Sequence, residues 1–123
     1  MRPGTRPPSL VIPVRNGAAT LEQCLAAVAS STTRVEELIV VDDGSTDASA
    51  EIASRFGATV IRTAPRGPAH ARNCGARAAS GGLLLFCDAD VCVHPDAVER
   101  VSSAFARDPG LGAMFGAYDD APT

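Results

Sequence analysis

Leu83-Leu-Leu-Phe-Cys-Asp-Ala-Asp90 runs five apolar residues straight into two carboxylates. The apolar run fits a strand buried on both faces of a parallel sheet. In open α/β sheets, ligands lie just beyond the carboxyl ends of the strands. Asp88 and Asp90, separated by one small alanine, can offer oxygen there to a single hard cation such as Mg²⁺ or Mn²⁺. Such a cation is typically shared with substrate phosphates. An Asp-x-Asp standing alone also serves as a plain turn that ends a strand. The surrounding chain has to choose between the two.

Outward from this stretch, strand-like and helix-like patterns alternate with short connections. Ser9-Leu-Val-Ile-Pro-Val14 predicts a short buried strand, in which Pro13 marks its end or a place where no donor is needed. Arg15-Asn-Gly17 is a turn, and Leu21, Cys24, Leu25 and Val28 form the apolar face of a helix from about Ala18 to Ser30. Glu37 to Val41 is a second strand that ends on Asp42-Asp-Gly-Ser-Thr-Asp47. There Gly44 permits a tight turn, and Ser45 or Asp47 caps a helix reaching about Phe56. Ala58 to Ile61 is a third strand. Pro68 starts a helix carrying His70, Arg72, Asn73 and Arg77, which closes at Gly81-Gly82. After the two aspartates come a helix between Pro95 and Asp108, a candidate last strand at Leu111–Phe115, and an aperiodic tail. The alternation predicts a doubly wound, mostly parallel α/β sheet with both acidic pairs, Asp42/Asp43 and Asp88/Asp90, on one edge.

The chain has 123 residues, 46% of them hydrophobic, which suits one globular domain. No apolar run approaches the ~20 residues that span a bilayer. The start, Met-Arg-Pro-Gly-Thr-Arg-Pro-Pro, has no signal-like apolar region. A cytoplasmic protein is expected, or one at the cytoplasmic membrane face in a longer form. All 11 basic residues are arginine, and the net charge is −3. That balance, without a basic stripe among aromatics, argues against nucleic acid as a partner. Cys24, Cys74, Cys87 and Cys92 lack the paired spacing of a structural zinc site and are expected as reduced thiols.

The missing lysine excludes several chemistries that also place carboxylates at strand ends. Val40-Val-Asp-Asp43 looks like a phospho-receiver site, and Phe86-Cys-Asp-Ala-Asp90 like a haloacid-dehalogenase-type phosphatase. Both of those families hold the phosphoryl group with a lysine. A P-loop fails for the same reason, and no Gly-x-Gly-x-x-Gly follows the first strand.

A base pocket joined to a diphosphate–metal site remains, and here the residues resemble the family 2 glycosyltransferases, enzymes of the GT-A fold. The matching segments are Leu10-Val-Ile-Pro-Val-Arg-Asn16, Leu38-Ile-Val-Val-Asp-Asp-Gly-Ser-Thr-Asp47, Gly67-Pro-Ala-His-Ala-Arg-Asn-Cys-Gly75 and Leu85-Phe-Cys-Asp-Ala-Asp90. They occur in the family's order and at its spacing. The Pro-rich residues 1–8 are expected as a flexible lead, and the resemblance implies that 9–123 form a partial GT-A-like nucleotide-sugar-binding domain.

It also implies roles. Pro13, Val14 and Arg15 line the nucleotide pocket, and Asp43 accepts a ring N–H of the base. Arg72 lies on the diphosphate, Asp88 faces the donor sugar or ribose, and Asp90 holds Mg²⁺ or Mn²⁺. The metal and Arg72 then neutralise charge on the departing nucleoside diphosphate. The expected activity is metal-assisted sugar transfer from a nucleotide-diphosphate sugar to a lipid, glycan or protein acceptor. The alternative is a non-catalytic nucleotide-sugar-binding module or an inactive fragment.

Asp42 and Asp47 are read as turn and cap residues, and Gly44 and Gly75 as backbone and packing positions. His94 is a second candidate for the metal. In the family, the general base that deprotonates the acceptor lies well beyond the Asp-x-Asp. Asp119 and Asp120 come too early to match it, so the catalytic base is unassigned. A sheet cut short there is expected to expose apolar edges near Leu83–Phe86 and Leu111–Phe115 and to self-associate.

Overall fold

The computed structural model describes residues 8–113. The elements are β1 (Pro8–Val14), α1 (Ala18–Ala29), β2 (Glu37–Asp43), α2 (Ser49–Arg55), β3 (Thr59–Thr63), α3 (Pro68–Ala78), β4 (Leu83–Phe86) and α4 (Ala97–Arg107). The strands pair in the order β3-β2-β1-β4, and every pair is parallel. Each strand is therefore reached by a crossover, as the alternating pattern requires.

β1 is central, and all seven of its residues are buried. It begins at Pro8, one residue earlier than expected, because the Pro8 carbonyl accepts the Glu36 N–H at 2.9 Å. The lead anticipated over residues 1–8 is thus corrected at its last position. Pro13 sits inside the strand without breaking a ladder. The Cys87 N–H bonds to the Val11 carbonyl at 3.1 Å, so alternate residues of β1 address β4. The side of Pro13 that lacks a donor faces the same way, past the end of β4 at Phe86.

Helices cover both faces. On one, Leu10, Ile12, Val14 and Val40 pack with Leu21, Cys24, Leu25 and Val28 of α1 and Ile52 and Ala53 of α2. On the other, Val11, Ile39 and Val41 pack with Ala71 of α3. Each fully buried Leu, Ile or Val side chain contributes on the order of 1.5–3 kcal/mol. Gly75 lets α3 ride close to the sheet: a Cβ there would stand 2.3 Å from Val11 Cγ1 and 3.2 Å from Val41 Cγ2.

The Leu83–Phe86 strand is not buried on both faces. Among the described residues β4 is an edge strand, with Leu84 39% and Phe86 48% exposed. Register sets Leu84 beside Ser9 and Phe86 beside Val11, on the face covered by α3. That helix packs chiefly over β1, β2 and β3 and leaves Leu84 and Phe86 of β4 largely open. The exposure expected at this edge is therefore present. Residues 111–113 are not strand, and the remainder of the anticipated last strand lies outside the described residues, as do Asp119 and Asp120. No helix among the described residues is long and apolar enough to cross a membrane.

Candidate functional site

Because all four strands are parallel, their carboxyl ends share one edge, and the acidic pairs after β2 and β4 both stand there. Alternation along β2 sends Asp42 to the α1/α2 face and Asp43 to the α3 face.

Asp43 is only 3% exposed, yet its carboxylate is well satisfied. Oδ1 accepts the Thr63 hydroxyl at 3.1 Å and the Arg66 N–H at 2.9 Å, while Oδ2 accepts the Gly67 N–H at 2.9 Å. The carboxylate thus sits at the N-terminus of α3, where the helix dipole favours negative charge. The Arg66 amide above all, then the Gly67 amide, the Thr63 hydroxyl and the Arg15 charge, hold its carboxyl below the usual aspartate range despite burial. A carboxylate oxygen accepts two donors, so Oδ2 keeps room for one more.

Asp42 is a turn residue, as expected: Oδ1 accepts the Ser45 N–H at 2.9 Å. Its near-complete burial goes beyond that expectation. Oδ2 has no hydrogen bond among the described residues and lies 3.6 Å from Arg62 Nε, across the β2–β3 register.

The β1–α1 and β2–α2 loops are laced together. The Asn16 N–H donates to Ser45 Oγ at 2.8 Å, Gly17 N–H to Ser49 Oγ at 3.1 Å, and Ala18 N–H to Asp47 Oδ2 at 3.1 Å. In return Asn16 Oδ1 accepts the Thr46 N–H at 2.8 Å. Asp47 Oδ1 also accepts the Ser49 hydroxyl and N–H, at 2.6 and 3.0 Å, so one carboxylate serves the starts of two helices. The Ser49 hydroxyl is the main reason its carboxyl is held below the ordinary range. Asn16 adopts φ 50°, a left-handed conformation that asparagine tolerates. This lacing fixes where β1 ends relative to Asp43. Pro13 and Val14 are buried, and Arg15 alone of the three is exposed at the edge.

On the other side of β1, Arg72 of α3 meets Asp88, with Nη2 3.5 Å from Oδ1. The Asp88 carbonyl accepts the Val91 N–H at 3.1 Å, which shapes the turn carrying the exposed Asp90. Arg15 with Asp43, and Arg72 with Asp88, are the expected site residues that the fold brings together. His94 lies exposed farther along, before α4.

No group of three or more His, Cys, Asp or Glu side chains that could hold a metal occurs among the described residues. Exposed carboxylate oxygens still suit a hard cation whose remaining ligands are phosphate oxygens and waters. Asp90 fits such a substrate-completed site, with Asp88 beside it. Sequence reading missed Thr63, Arg66 and Gly67 as partners of Asp43. The signal available was Gly67-Pro68, a helix start whose first N–H groups need an acceptor from elsewhere.

The model of glycosyl transferase family 2 matches residues 9–121. The chain belongs to this family. Validoxylamine A glucosyltransferase of Streptomyces hygroscopicus subsp. jinggangensis is 40% identical, over 90% of this family 2 chain and 29% of its own length. Glycosyltransferase AglE of Haloferax volcanii is 38% identical, over 75% of this chain and 33% of its own. Among solved structures, the mannosyltransferase PcManGT from Pyrobaculum calidifontis, in complex with GDP-Man and Mn²⁺, superposes with a TM-score of 0.81 at 27% identity. That match covers 88% of this chain and 34% of the other. Glucosyl-3-phosphoglycerate synthase from Mycobacterium tuberculosis, with Mn²⁺, UDP and glucosyl-3-phosphoglycerate, gives 0.67 at 32% identity, covering 76% and 37%. The parallel sheet is thus the GT-A fold of these neighbouring glycosyltransferases. The chain spans about a third of the length of the curated relatives it matches.

Proposed function

We propose that this chain forms the donor-binding part of a glycosyltransferase that moves a sugar from a nucleoside diphosphate to an acceptor. The observation that carries the reading is the Arg72–Asp88 pair, which draws α3 and the end of β4 to the edge where Asp43 stands. The GDP-Man, UDP and Mn²⁺ in the neighbouring structures support it. Asp43 Oδ2 accepts a ring N–H, which uracil and guanine present and adenine and cytosine do not. Arg15, after Pro13 and Val14, closes the base side of the pocket. Arg72 turns its guanidinium fork to the diphosphate, and Asp88, released from that pair, faces the sugar or ribose. Asp90 holds Mg²⁺ or Mn²⁺, which when bound supplies positive charge at the diphosphate.

Transfer of labelled sugar from UDP- and GDP-sugars to lipid, glycan or protein acceptors tests this reading. Labelled product with release of nucleoside diphosphate is expected from a longer chain that includes an acceptor half, and little or none from the 123 residues alone. Donor binding without transfer by the longer chain to any acceptor would favour a nucleotide-sugar-binding module instead.

A further inference from the structure

Two cysteines far apart in sequence meet beneath the Asp88–Asp90 turn. Cys24 lies on the buried face of α1, and Cys87, 8% exposed, directly follows β4. Their sulfurs stand 3.6 and 3.4 Å from one acceptor, the Asp88 carbonyl oxygen. Both sulfurs thus converge on one oxygen atom, which brings the two thiols to the same side of the turn. The same carbonyl takes the Val91 N–H, so the turn hangs from the atom that both thiols touch. All four cysteines are free, and Cys74 and Cys92 stand apart from this carbonyl contact.

We propose that Cys24 and Cys87 form a reversible disulfide that unseats the Asp88-Ala89-Asp90 turn. The oxidant is a peroxide, small enough to approach Cys87, a residue that keeps 8% exposure beside the edge strand. The Cys87 thiolate attacks one peroxide oxygen, the O–O bond breaks, and hydroxide leaves a sulfenic acid on Cys87. Cys24 sulfur then attacks Cys87 sulfur and the S–O bond breaks. The departing hydroxide takes the Cys24 proton. Two thiols and one hydrogen peroxide become a disulfide and two waters, and a reducing thiol reverses the change by exchange.

The sulfurs must close to about 2.05 Å, with their β-carbons about 3.8 Å apart. Cys24 is held in the middle of a helix, whereas Cys87 follows a four-residue edge strand, so Cys87 is the partner that moves. Its displacement removes both thiol donors from the Asp88 carbonyl and shifts Asp88 relative to Arg72. The consequence for donor binding rests on the function proposed above: the oxidised chain should bind nucleoside diphosphate at least ~10-fold more weakly, as loss of an Arg–phosphate alignment implies.

The test treats the 123-residue chain with hydrogen peroxide, alkylates it, digests it without reduction and reads the peptides by mass spectrometry. A parallel sample carries Cys74→Ser and Cys92→Ser, which leaves only the pair. The expected product is a Cys24–Cys87 cross-link, reversed by dithiothreitol and abolished by Cys24→Ser or Cys87→Ser in chains that keep the native circular dichroism spectrum. Cys24 and Cys87 both remaining alkylatable, while Cys74 or Cys92 is oxidised, would overturn the proposal. Amide exchange at Val91 reads the turn directly and should speed up roughly tenfold on oxidation, the loss of about one ordinary hydrogen bond. Unchanged Val91 exchange in a fully cross-linked chain would overturn the unseating. If the reduced chain binds neither UDP nor GDP with Mn²⁺, the donor reading fails, while the cross-link and Val91 still judge the disulfide.

Discussion

Arg72 Nη2 lies 3.5 Å from Asp88 Oδ1, joining the first half of α3 to the residue two beyond the end of β4. Both side chains are about half exposed, so solvent screens the pair and its worth to stability is small. Its worth is positional, because a diphosphate oxygen can replace the Asp88 carboxylate on the guanidinium fork. Arg72→Ala is expected to weaken UDP or GDP binding roughly 10–100-fold, as loss of a charge-assisted bond implies. Calorimetry reads that change. Unfolding free energy should move by less than about 0.5 kcal/mol. Arg72→Lys should recover only part of the affinity, since a lysine keeps the charge but not the fork.

Asp43 carries stability as well as the base contact. Asp43→Asn is expected to lower the unfolding free energy by about 1.5–3 kcal/mol at neutral pH, because the Arg66 and Gly67 amides lose a charged acceptor. The native carboxyl titrates below its ordinary value of 3.8, chiefly because of the Arg66 amide. The folded chain therefore releases this proton more readily than the unfolded one. Its contribution is complete above 3.8 and is lost as pH falls through that value toward the lower native one. Urea unfolding of parent and variant should converge over that descent. A gap that stays constant would separate Asp43 from the acid response.

Gly75→Ala probes the contact between α3 and the sheet. The added methyl meets Val11 Cγ1 at 2.3 Å, so α3 must lift or Val11 must turn. A loss of about 1–3 kcal/mol in denaturant unfolding is expected from such overpacking. Equal stability of the alanine chain would show that α3 rides higher than described.

Leu84 and Phe86 are exposed on β4, which pairs only with β1 among the described residues. An apolar, unpaired edge of this kind favours association with a second copy. Sedimentation velocity should show concentration-dependent oligomers that Phe86→Lys diminishes. Identical profiles for parent and variant would place any association elsewhere.

The alternation of strand and helix, the parallel order and the common edge of the two acidic pairs were legible in the sequence, because each follows from local period and short connections. The position of β4 was not. Five consecutive apolar residues read alike whether a strand is covered on both faces or left open on one, and only the reach of α3 distinguishes them. Asp42 was legible as a turn residue but not as a buried one, since its Arg62 neighbour depends on strand register. The lacing of Asn16 to Ser45 and Thr46, and the meeting of Cys24 with Cys87, join residues with no spacing relation in the chain. Pro13, Val14 and Arg15 form one sequence motif, yet strand alternation and core packing leave only Arg15 exposed.

The most direct measurement is calorimetric titration of the chain with UDP and with GDP, in Mn²⁺ and in EDTA, for the parent and for Asp90→Ala. One of the two nucleotides is expected to bind in Mn²⁺, with binding at least ~10-fold weaker in EDTA. A similar fall is expected for Asp90→Ala, as removal of a metal-held diphosphate contact implies. Binding by Asp90→Ala equal to the parent in Mn²⁺, or no binding of either nucleotide to the folded parent, would contradict the donor reading.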